Sequence, residues 1–181
     1  MKKRNLLVSS FFLLAGLTLG VGYAALTDGF VVFGDIGAQA NSNNLQVVYT
    51  DYETDGVRCS VVGDPTGTNS AELSFDGFDA AGETGTCALT VTNLTPGAVG
   101  DELDVLLEEA TVKNGTMNTE YFSVTAVWRD ADLILEAARD GVTAGSNILD
   151  VTVTLKKTPT ESVTTGRFEV VFSATTDKTN A

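Results

Sequence analysis

Leu149-Asp150-Val151-Thr152-Val153-Thr154-Leu155 alternates without a break, with apolar residues at the odd positions and polar ones at the even. A two-residue period sets one apolar face against one polar face, which is the signature of a half-buried strand. The same period recurs elsewhere. Leu45, Val47 and Tyr49 alternate with Gln46 and Thr50. Leu73 and Phe75 alternate with Ser74 and Asp76, and Cys87, Leu89 and Val91 with Ala88, Thr90 and Thr92. Phe122, Val124, Ala126 and Trp128 alternate with Ser123 and Thr125, and Phe168, Val170 and Phe172 with Glu169 and Ser173. Val57 to Val62 also reads as a strand. Turn signals fall between the runs at Gly63-Asp64-Pro65, Asp76-Gly77, Pro96-Gly97, Asn114-Gly115 and Ala144-Gly145. Strands with one apolar face each need a second layer to cover them. The expected fold is therefore all-β, a two-sheet antiparallel sandwich, jelly-roll or immunoglobulin-like. One stretch differs. Asp130 to Arg139 opens with carboxylates, continues in helix formers and is followed by Gly141, which predicts one short crossover helix.

The beginning of the chain has another character. Met1-Lys2-Lys3-Arg4 is basic, Leu6 to Leu19 is largely apolar, and Gly20 to Ala25 is rich in small residues. That order is the three-part layout of a secretory signal peptide, and the apolar run is short for a membrane span. The expected cleavage lies between Ala24 and Ala25, so contact with the membrane is transient. An uncleaved anchor is the other reading. The resulting layout is a signal over 1–24, an N-terminal strand and flexible lead over 25–44, a sandwich domain over 45–176 and a frayed tail over 177–181. About 157 residues remain after cleavage, a length suited to one domain with its own core. Beyond Ala24 stand eight basic residues against 24 acidic ones, a net charge of −16. So acidic a surface repels nucleic acid and anionic lipid.

Little catalytic chemistry is encoded. The chain has no histidine, which removes His-dependent triads, His-ligated zinc and the H-E-x-x-H helix. No nucleophile elbow or phosphate-cradling glycine loop occurs. No catalytic residue is assigned, and the chain reads as a non-enzyme. Cys59 and Cys87 match no zinc or redox spacing. In an exported protein they suit a disulfide, with two buried thiols as the alternative. Asp51, Glu53, Asp55 and Gly56 match the opening of a calcium loop, although its twelfth position is Val62 and not glutamate. Ca²⁺ is the sole cofactor the sequence suggests, against the alternative of a solvated acidic hairpin tip. Asn93-Leu94-Thr95 and Asn114-Gly115-Thr116 match the glycosylation sequon, a pattern that short chance matches also produce.

Leu26-Thr27-Asp28-Gly29-Phe30-Val31-Val32-Phe33 carries large apolar residues on both faces, and the polar, small stretch 34–44 follows it. Such a strand can be the first strand of its own sheet. It can equally add to the sheet of a neighbouring molecule, and repeated head to tail that contact builds an open filament.

The signal region Leu19-Gly-Val-Gly-Tyr-Ala-Ala-Leu-Thr-Asp28 resembles the alternate export signals processed by SipW-type signal peptidases of Gram-positive bacteria, in the TasA- and camelysin-like family. Leu89-Thr-Val-Thr-Asn-Leu-Thr-Pro-Gly97 is similar to a strand and Pro-Gly turn of that family. Leu149 to Thr160 and Phe168 to Ala174 are similar to its closing strands. The resemblance covers about a third of the chain, in pieces. It implies a jelly-roll-like subunit, extracellular or at the cell surface, that self-associates into a surface fibre or biofilm matrix. By position, the donated strand would comprise Leu26, Phe30, Val31, Val32 and Phe33. The metallopeptidase label attached to camelysin-like proteins is not carried over, because histidine and a zinc motif are lacking. The cysteine pair and the stretch from Asp51 to Thr86 depart from the fibre-forming members. The alternative function is a monomeric secreted module that binds carbohydrate, a cell-wall component or Ca²⁺.

Overall fold

The computed structural model describes residues 28–35, 45–95, 103–160, 163 and 166–176. Every regular element in them is a strand: β1 Asp28–Asp35, β2 Val47–Thr54, β3 Cys59–Val62, β4 Ser70–Phe75, β5 Thr84–Asn93, β6 Val105–Leu107, β7 Thr111–Lys113, β8 Phe122–Trp128, β9 Ile134–Leu135, β10 Ser146–Leu155 and β11 Glu169–Thr176. They form two layers. A four-stranded sheet runs β2-β5-β10-β8. A seven-stranded sheet runs β3-β4-β1-β11-β6-β9, with β7 also paired to β11. The all-β sandwich expected from the alternation is what forms.

The alternation itself builds the core. On β10, Leu149, Val151, Val153 and Leu155 are buried and Asp150, Thr152 and Thr154 are half-buried on the other face. β5 pairs with β10 in unbroken antiparallel register from Ser146↔Thr92 to Thr154↔Thr84 and contributes buried Cys87, Leu89 and Val91. The facing sheet supplies Leu73 and Phe75 from β4, Val105 and Leu107 from β6, and Val170, Phe172 and Ala174 from β11. Aromatic rings interlock across the layers. The Trp128 and Phe172 rings lie 5.0 Å apart and Tyr49 meets Phe172 at 6.4 Å, both edge to face, an arrangement the ring quadrupole favours. The Cys59–Cys87 disulfide, with Cα atoms 5.8 Å apart, staples β3 of one sheet to β5 of the other.

Two expectations need correction. The stretch from Asp130 to Arg139 is not a helix. Leu135 and Ala137 are buried while Ile134, Glu136 and Ala138 are exposed, so burial follows a two-residue period there. Side chains hold the backbone extended. Asn147 donates to the carbonyls of Asp130 and Asp132 and accepts from the Asp130 N–H. Asp104, buried, accepts from the Ala137 N–H at 2.8 Å and from Arg139 at 3.0 Å. Gly145 closes over this stretch. Its N–H donates to the Glu136 carbonyl, and a Cβ at 145 would stand 2.5 Å from the Glu136 nitrogen. Helix propensity is worth only tenths of a kcal/mol per residue, and these tertiary bonds outweigh it. The second correction concerns strand direction: the pairing is not wholly antiparallel, because β1 runs parallel to β11.

Candidate functional site

β1 is an interior strand of the larger sheet. Along one side Asp28 to Phe33 pair antiparallel with Phe75 to Ser70 of β4. Along the other, Val31 to Asp35 pair in parallel with Glu169 to Ser173 of β11. Phe30 and Val32 therefore stand in register with Leu73 and Ala71, and Val31 and Phe33 with Glu72 and Ser70. No other described strand bridges β4 and β11. Among the described residues the β3–β4 hairpin joins the rest of its sheet only through β1, although the disulfide ties it to the opposite layer. Leu26, the cleavage residues Ala24 and Ala25, and the link over 36–44 lie outside the described residues.

The acidic turn after β2 is organised by one carboxylate. Asp55 Oδ1 accepts the N–H groups of Val57, Arg58 and Cys59 at 2.7–3.0 Å, and its Oδ2 accepts the Thr86 N–H at 3.0 Å. Partial burial works to raise the Asp55 carboxyl, but these four backbone donors prevail and hold it below the usual carboxylate range. Asp51 Oδ1 accepts the N–H of its neighbour Tyr52. Asp51, Glu53 and Asp55 are not gathered around one point. Among the described residues no group of three or more acidic or cysteine side chains is arranged to hold a metal. Asp55 orders the turn that leads into Cys59 and, through Thr86, ties that turn to β5. Beside it, Gly85 lets the Arg58 backbone pass, since a Cβ at 85 would lie 2.8 Å from Arg58 Cβ. Arg58 in turn pairs with Glu83 at 2.6 Å.

The two sequon asparagines are placed differently. Asn93 is fully buried. Its amide donates to the carbonyls of Leu103 and Leu135, and its Oδ1 accepts the Thr95 N–H. It pins the end of β5 to the β9 region and is closed to modification. Asn114 is exposed in the turn after β7. Sequence reasoning did not find the buried polar residues Asn93, Asp104 and Asn147 as structural groups. Nor did it find β6, β7 and β9, which are two or three residues long. So short a run cannot display a period, and the partners of a buried amide are remote in sequence.

Neither protein-family models nor curated protein sequences yield a match to this chain. No described helix is long and apolar enough to cross a membrane. The Cys59–Cys87 pairing fits a non-reducing environment.

Proposed function

We propose that this protein is an exported structural subunit of an extracellular or cell-surface fibre, assembled by exchange of its N-terminal strand. One observation carries the reading: β1 fills an interior slot between β4 and β11 with main-chain pairing on both sides. Withdrawal of β1 from such a position opens two sheet edges at once, and the same segment of a second copy can restore both ladders in the same register. The self-filled subunit and the exchanged polymer then make the same bonds, so the energetic cost of polymerising is small. The signal-like start, the disulfide and the family resemblance at the N-terminus favour an extracellular setting. The acidic, histidine-free composition supplies no competing catalytic reading.

Electron microscopy tests this on chain beginning at Ala25, incubated for days at neutral pH. Regular filaments are expected. A chain beginning at Asn41 should form none, and a synthetic peptide spanning Leu26 to Asp35 should bind it and raise its melting temperature. Monodisperse monomers from the longer chain, or identical behaviour of the two, would remove strand exchange. A monomeric result would favour a secreted binding module.

A further inference from the structure

The sheet that does not contain β1 ends in β8, with a cavity beside that strand. β8 is the last strand of the four-stranded sheet, and among the described residues it pairs only with β10. The ladder to β10 runs through the odd-numbered residues, because the Arg129 N–H donates to the Ile148 carbonyl and the Tyr121 carbonyl accepts from Lys156. Antiparallel alternation then turns the N–H and C=O groups of Val124, Ala126 and Trp128 to the unpaired side. The strand Phe-Ser-Val-Thr-Ala-Val-Trp has no charge, proline or glycine, the devices that usually blunt an edge. Val127 is 61 % exposed.

A cavity of about 360 Å³ opens at this edge. Ala110, Ala126, Trp128 and Leu133 give it apolar walls, and Glu109 and Asp130 add carboxylates. The walls are fixed in place. Trp128 Nε1 donates to the Glu108 carbonyl at 2.9 Å, the Leu107 N–H donates to the Leu133 carbonyl, and Asn147 holds the Asp130 backbone. Arg129 is turned to Asp150 in a two-pronged contact. Neither Glu109 nor Asp130 forms an ion pair among the described residues.

We infer that the β8 edge binds an extended polypeptide segment of a partner protein, which adds as a strand and places a lysine side chain in this cavity. The free main-chain groups select an extended backbone. The apolar walls accept the lysine methylenes, and the two carboxylates accept its ammonium group. This surface is independent of strand exchange through β1.

The test uses the full chain and two peptides carrying fluorescein on the N-terminal amine, fluorescein-Gly-Thr-Val-Lys-Val-Thr-amide and its Glu-for-Lys counterpart, read by fluorescence anisotropy. The lysine peptide should bind at least tenfold more tightly, and N-methylation of its edge-facing amides should abolish binding. The E109Q/D130N variant should lose the preference. If it keeps the preference, attraction to the acidic protein as a whole explains the binding and the proposal falls. It also falls if the two peptides bind wild type equally, or if neither binds. Hydrogen exchange on the free protein provides a further check. Fast exchange at Val124, Ala126 and Trp128 is expected, and protection there would mean that the chain already covers its own edge.

Discussion

The two outer strands of the four-stranded sheet are finished in opposite ways. β2 carries an irregularity in its register between Tyr49 and Asp51, and its end bears Asp51 and Glu53. Its outward main chain is occupied as well: the Tyr49 N–H donates to the Thr68 carbonyl, and the Tyr49 carbonyl accepts the Gly67 N–H. Bulge, charge and a covering loop are three recognised defences of a sheet edge. Among the described residues β8 has none of these, yet it lies beside a cavity with fixed walls. Within one sheet of one chain, then, a closed edge and an open edge coexist. An edge left open on a protein that closes the opposite one is where association is expected.

The closed side is the one to break first. Its turn is held by the disulfide, which encloses a loop with a sequence separation of 28. In the chain-entropy description this stabilises the fold by about 3–4 kcal/mol. Replacing both cysteines by serine should lower stability by about that much in chemical denaturation. The melting temperature should fall more than with any surface substitution, and an unchanged denaturation midpoint would show that the staple contributes nothing.

Asp55→Ala is next. It removes the acceptor of the Val57, Arg58, Cys59 and Thr86 N–H groups, most of which water can reach, at a cost of about 1 kcal/mol. The pH dependence has a definite sign. Because the folded carboxyl titrates below its ordinary 3.8, its stabilisation is complete above that value and is lost as pH falls below it. Wild type should therefore lose stability more steeply than Asp55→Ala under pH 4, as followed by thermal melts from pH 6 to pH 2. Parallel profiles for the two proteins would be the contrary result.

Two smaller effects concern the open side. Val127→Lys puts a charge on an exposed position of β8 and should change stability by less than about 0.5 kcal/mol. It should nonetheless suppress edge association in light scattering at high protein concentration. The exposed Arg129–Asp150 pair, 2.7 Å apart, lies on the outer face of the same sheet. Arg129→Gln should lower stability slightly at low salt and less at high salt, as read from thermal melts. A large loss there would mean that the pair, and not Asn147, positions Asp130.

The strands legible in the sequence are those long enough to repeat their period. Phe122 to Trp128 coincides with β8, and Leu149 to Leu155 falls inside β10. The cysteines were legible as a candidate pair because their number and context suit one. The misread segment, Asp130 to Arg139, shows the limit. Its residues favour a helix locally, but Asp104, Asn147 and Gly145, from two other parts of the chain, hold it extended. The acidic turn was visible as a row of carboxylates. That Asp55 spends its oxygens on four backbone donors was not, since Thr86 lies 31 residues away.

By itself the sequence determined the all-β class, the apolar face of each long strand and the acidic, histidine-free surface, because period and charge are properties of neighbouring residues. Tertiary structure decided the rest. It placed the N-terminal strand parallel to the last one in the middle of a sheet. It closed the β2 edge with a distant loop, and it left β8 open beside its cavity. Each of these depends on which remote main-chain groups find partners, and hydrogen bonds between segments far apart in the chain leave no local pattern to read.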